Sequence, residues 1–136
     1  MTWKPIKKNA IGEGVPCVKI SAATRGPRSK YSQIVLHISA TLALHIQVRS
    51  GDRIELEIGN LADAGWMRIS KGNEQRARSH GHEGAVQVRF SGRRLGVEKA
   101  HRREFAKYKT GRNSRPYLIF MLPQWARAKG EIDGAQ

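Results

Sequence analysis

Ile34-Val35-Leu36-His37-Ile38-Ser39-Ala40-Thr41-Leu42-Ala43-Leu44-His45-Ile46-Gln47-Val48-Arg49-Ser50-Gly51-Asp52 is the stretch on which the fold turns. Its opening alternates, with Ile34, Leu36 and Ile38 on one side, which predicts a strand from Gln33 to Ile38. The remainder carries two patterns at once. Leu42, Leu44, Ile46 and Val48 alternate strictly, the signature of a strand running into a hairpin at Ser50-Gly51. Yet Ile38, Leu42 and Ile46 are spaced four apart, along one helix face. Ser39 stands where an N-cap would accept a bond from an unpaired first-turn amide. A helix of about two turns is marginal alone and depends on tertiary packing. Periodicity leaves both readings open.

Outward from this stretch the chain reads as strands. Arg53–Ile58 places Ile54, Leu56 and Ile58 on one face, and Gly65–Ser70, Ala85–Phe90 and Pro116–Leu122 follow. The first 30 residues hold Pro5, Gly12, Gly14, Pro16, Gly26 and Pro27 around a short β-like run, Cys17–Ile20. That composition predicts a loose arm with one edge strand. Val97–Lys109 predicts a helix: Val97, Ala100 or His101, Phe105 and Tyr108 form an apolar stripe opposite an almost wholly charged face. Thr110-Gly111-Arg112-Asn113-Ser114 then supplies turn residues that end it. The expected class is mainly β with one or two short helices (α+β). Residues 1–31 form a basic arm, 32–126 a single β-rich domain, and 127–136 a tail.

Segment 34–71 resembles a half-barrel of the AbrB/MazE/SpoVT swapped-hairpin family of bacterial transition-state regulators and antitoxins. The strand is Ile34–Ile38, with Ser39 where the family has proline. Leu42 falls on the short helix, and Ile46-Gln47-Val48-Arg49-Ser50-Gly51-Asp52 supplies the turn. Arg53–Ile58 and Gly65–Lys71 are the two closing strands. The resemblance covers under a third of the chain and favours a helix over Ser39–Ile46. It implies a swapped-hairpin barrel completed by homodimerisation, elaborated here by basic extensions over 72–126. Tyr117–Ala126 echoes the strand-proline-helix opening without a Gly-Asp turn, and reads as an added strand. The family contacts DNA through basic residues near the short helix. Ala40–His45 contains no lysine or arginine, so the flanks would have to supply those contacts.

Charge says where a partner would sit. The 136 residues carry 25 Lys plus Arg against 11 acids, a net charge of +14. Such an excess attracts a polyanion, most commonly nucleic acid. It is unevenly spread: seven basic residues and one acid over 1–31, two and four over 32–65, sixteen and four over 66–129. The expected phosphate contacts are Arg76, Arg78, Arg93, Arg94, Lys99, Arg102, Arg103, Lys107, Lys109, Arg112 and Arg115. Most are arginines, whose planar fork pairs with phosphate oxygens. Phe90, Phe105, Tyr108 and Tyr117 are interleaved. Burial is the expectation for Phe90 and Phe105, which leaves Tyr108 and Tyr117 to stack on unpaired bases.

Other chemistry lacks a framework. His80, His82 and Glu83 lie within four residues, but no second ligand pair completes a zinc site. Glu55 and Glu57 sit on the solvent side of a predicted strand. There is no phosphate-binding glycine loop, since Gly12-Glu13-Gly14-Val15-Pro16 precedes no helix signal. Cys17, the single cysteine, reads as a packed thiol and cannot form an internal disulfide, which suits the reducing cytoplasm. No apolar run approaches the ~20 residues of a membrane span, and Met1–Gly14 lacks the apolar core of a secretory signal. The expectation is a cytoplasmic, non-enzymatic DNA-binding regulator, homodimeric and without a cofactor. Binding of RNA or single strands is the alternative. So is an antitoxin-like or mobile-element adaptor that docks on an acidic protein.

Overall fold

Two-residue alternation organises most of the chain. In the computed structural model, which describes residues 15–59, 63–80 and 82–127 (without the side chains of 79, 80, 82, 83 and 127), ten strands form two five-stranded sheets. In chain order these are β1 (Val18–Ala23), β2 (Gln33–Ile38), β3 (Arg53–Ile58), β4 (Trp66–Lys71), β5 (Gln75–Arg76), β6 (Arg78–His80), β7 (His82–Ser91), β8 (His101–Ala106), β9 (Tyr108–Arg112) and β10 (Pro116–Met121). The first sheet runs β6-β7-β2-β1-β8 and the second β5-β3-β4-β10-β9, with every pairing antiparallel. Register follows the apolar residues. Ile34 faces Phe90, Leu36 faces Val88 and Ile38 faces Val86 across β2 and β7. Leu118 faces Ile69 and Phe120 faces Met67 across β10 and β4. These side chains belong to one core cluster, shared by both sheets. The mainly β class holds; the two sheets are open rather than one closed barrel.

The ambiguous stretch resolves into α1 (Ala40–His45). Ile38, Leu42 and Ile46 are all buried, whereas Leu44, which the strand reading needed inside, is 76% exposed. The helix period therefore wins. Ser39 occupies the N-cap position, but its side chain makes no cap bond. Its hydroxyl accepts from the Cys17 N–H at 3.0 Å, and its own N–H donates to the Cys17 carbonyl at 3.1 Å. Ser39 thus extends the β1–β2 ladder by one pair. At the other end Gln47 takes φ 60°, the Gln47 N–H donates to Leu44 O and the Val48 N–H donates to Ala43 O. This is the Schellman arrangement, with glutamine where glycine is usual. Gly51, at φ 93°, opens the turn, and Asp52 Oδ2 accepts the Arg49 N–H at 2.9 Å.

Two expectations fail. Val97–Lys109 is not a helix: it contains β8, most of whose side chains are exposed, and the start of β9. Both are edge strands, where one side of the backbone lacks a partner and charged side chains discourage pairing with other chains. The helical stripe was a coincidence of spacing. The strand of the basic N-terminal segment, expected at an edge, lies instead between β2 and β8 with Val18 and Ile20 fully buried. The final helix, α2 (Gln124–Arg127), contacts the 3₁₀ turn Gly92–Leu95.

Candidate nucleic-acid interface

β8 and β9 are one continuous run that changes sheets at Lys107. The bend is held by the Met121 N–H, which donates to Lys107 O at 2.8 Å. Because β8 edges the first sheet and β9 the second, this ribbon forms one border of both. Arg102 and Arg103 lie on β8, Lys107 at the bend, and Lys109 and Arg112 on β9; all five are exposed. The β1–β8 register sharpens their presentation. Ile20 faces Glu104 and Ala22 faces His101, so Arg102 and Arg103 together oppose the single residue Ser21. That is a bulge, a device that kinks an edge and re-aims its side chains.

The inner side of β8 is braced. The His101 ring stacks on Trp125 of α2, with centroids 4.2 Å apart, and Trp125 Nε1 donates to Glu104 Oε2 at 3.4 Å. On the outer side, Lys19 is the register partner of Phe105, and its Nζ lies 5.1 Å from the ring centroid. Phe105 is 72% exposed, against the expectation of burial. The physical reason is the edge position: no neighbouring strand covers its far side. Phe90 does pack against the core as expected. The tyrosines expected to stack are engaged elsewhere. Tyr108 Oη donates to Pro16 O at 3.4 Å, and Tyr117 lies across Gly111, where any Cβ would collide with its ring.

The remaining expected contacts are dispersed. Arg76 and Arg78 lie on β5 and β6, the opposite border of the two sheets. Arg93 and Arg94 sit on the 3₁₀ turn, whose start is capped by Ser91 Oγ accepting the Arg93 N–H at 3.2 Å. Lys99 is in the exposed loop that follows. Arg115 departs from the expectation, because its Nη2 pairs with Glu55 Oε2 at 2.8 Å.

Charge pairing differs between surfaces. On the outer face of the second sheet, Arg68 grips Glu57 through two bonds, Nε to Oε1 at 3.2 Å and Nη2 to Oε2 at 2.8 Å. That hydrogen bonding holds the Arg68 guanidinium pKa above its ordinary value. Arg68 also lies over Tyr117, and Lys109 Nζ sits 5.1 Å from the Trp66 ring centroid. With Arg115 holding Glu55, both glutamates of this face are paired, while Lys109 has no carboxylate partner among the described residues. Among the described residues the ion pairs are Lys30–Glu98, Arg68–Glu57, Lys71–Asp52 and Arg115–Glu55. None involves the five ribbon cations.

No family model matches the chain, and no curated protein or solved structure matches it.

Among the described residues, no group of three His, Cys, Asp or Glu could hold a metal ion. The side chains of His80, His82 and Glu83 lie outside the described residues. No described helix is long and apolar enough to cross a membrane. Sequence reasoning missed Lys19 and misassigned Phe105. Their partnership exists only across the β1–β8 register, which joins segments more than eighty positions apart.

Proposed function

We propose that this protein binds nucleic acid, with DNA as the leading ligand and transcriptional regulation as the setting, through the β8–β9 ribbon. One observation carries the reading: Arg102, Arg103, Lys107, Lys109 and Arg112 stand exposed along a single border without a carboxylate partner among the described residues. A polyanion placed there displaces counterions instead of breaking ion pairs. With a log–log salt slope of about −0.9 per phosphate contact, five contacts weaken binding about 500-fold between about 50 and 200 mM salt. Fluorescence anisotropy with a labelled duplex over that range tests it. A flat response removes the proposal, and in R102Q/R103Q the slope falls by about 1.8.

Phe105 supports a second reading, in which the ligand is single-stranded. An exposed ring beside Lys19 and the bulged arginines offers a base a stacking surface next to phosphate contacts. Competition between duplex and single strand of equal length decides between the two. The run of strand, short helix, Gly-Asp turn and two strands over 33–71 supports a local likeness to the swapped-hairpin regulators. β2 lies between β1 and β7, and β4 between β3 and β10, all from one chain. A homodimer would therefore join through outer surfaces and not by interlocking hairpins as in that family, and light scattering measures whether it forms.

A further inference from the structure

At the border opposite the ribbon, four arginines flank the corner between β5 and β6. The corner is built by the Gly51-Asp52 turn: the Gly51 N–H donates to Ala77 O at 2.8 Å, and the Ala77 N–H donates to Asp52 O at 2.8 Å. These two bonds set residues 49–53 beside residues 76–78. Arg53 and Arg76 are direct register partners on neighbouring strands. Ala77 is fully buried, so alternation turns Arg76 and Arg78 outward on either side of it. Arg49, Arg53, Arg76 and Arg78 are all exposed.

Like charges placed directly opposite on paired strands destabilise a sheet, and little here offsets that cost. Arg53 Nη1 donates to Asn73 O at a long 3.5 Å, and no ion pair among the described residues includes any of the four arginines. Two of the three adjacent acids, Asp52 and Glu55, are otherwise engaged. Asp52 Oδ2 accepts the Arg49 N–H and lies 3.8 Å from Lys71 Nζ, and Glu55 is held by Arg115. Glu74, exposed just before β5, makes no ion pair among the described residues. A bound anion would turn the Arg53–Arg76 repulsion into attraction for itself.

We propose that Arg49, Arg53, Arg76 and Arg78 form a second phosphodiester-binding site, so that nucleic acid is gripped at both borders of the molecule. The inference rests on the nucleic-acid reading above and extends it to residues 49 and 53, which lie in the segment where acids outnumber bases. Four inter-strand steps of about 4.8 Å separate the borders of each sheet, roughly 19 Å. One bound polyanion must therefore cross the molecule, and the contacts at the two borders add.

The test is anisotropy of a fluorescein-labelled mixed-sequence duplex against the full chain and R53Q/R76Q, titrated from about 50 to 200 mM NaCl. The salt slope of R53Q/R76Q becomes shallower by about 1.8, so its loss of affinity across that range is about twelvefold smaller. Its thermal midpoint stays level or rises, because the like-charged pair is gone. R49Q/R78Q leaves the strand pair intact and shifts the slope in the same direction. Wild-type slopes in both variants, alongside a reduced slope in R102Q/R103Q, overturn the second site and leave the ribbon standing. A flat wild-type response removes both.

Discussion

Ser39 and Phe105 show how a side chain's role depends on what the fold brings beside it. Ser39 has the identity and position of a helix cap, yet its hydroxyl bonds the Cys17 amide on another strand. Nothing within a few residues of Ser39 announces that partner. Ser39→Ala leaves the Cys17 N–H unbonded in a partly buried position and lowers stability by about 1–2 kcal/mol, measured by urea denaturation. An unchanged midpoint would mean that water replaces the hydroxyl at no cost. Phe105 is the reverse case, an apolar residue that the fold leaves in solvent. Phe105→Ala changes stability by no more than about 0.5 kcal/mol. If single strands are the ligand, it weakens their binding by about 1–3 kcal/mol and leaves duplex affinity unchanged. Equal losses on both ligands would show that the ring supports the surface and does not stack on bases.

At the scale of elements, α1 and the segment from Val97 to Lys109 went opposite ways. The first carried both periods and burial chose between them; the second carried a helical stripe alone, and strand pairing overrode it. In α1 the four-residue spacing matched three core positions while Leu44 went to solvent. In the later segment, pairing with β1 and β10 claimed the backbone; Val97 and Tyr108 still reach the core, and Phe105 is left in solvent. The end of α1 carries a measurable strain. Gln47 sits at φ 60°, a region that costs an L-residue roughly 1–2 kcal/mol. Gln47→Gly therefore stabilises the protein by up to about 1 kcal/mol, less what glycine adds to the entropy of the unfolded chain. Thermal and urea midpoints should both rise; a drop in both would mean that the glutamine side chain holds a contact worth more than the strain. Most strands were legible from two-residue alternation, but Leu42, Leu44, Ile46 and Val48 alternate as strictly and form a helix and its end, so the period alone does not decide.

For the whole molecule, charge is the quantity that links fold to function. A chain with net charge +14 repels itself when folded, and screening relieves that repulsion. The thermal midpoint should rise from about 50 to 200 mM NaCl, the same range in which nucleic-acid affinity falls. A soluble polyanion at low salt should raise it too, because a ligand that binds only the folded state stabilises it by mass action. Differential scanning fluorimetry reads both, and a midpoint that falls on adding salt would show that ion pairs outweigh the repulsion. By itself the amino-acid order determined the β-rich class, most strand positions, the Gly-Asp turn and the surplus of cations, because each depends on neighbours a few residues apart. Only the tertiary structure decided which cations are free. Arg115 meets Glu55 sixty positions away, Arg53 meets Arg76 across a sheet edge, and Lys19 meets Phe105 across a register. Electrostatic pairing and solvent exposure are properties of distance in space, and strand pairing brings distant segments together in ways that local pattern does not encode.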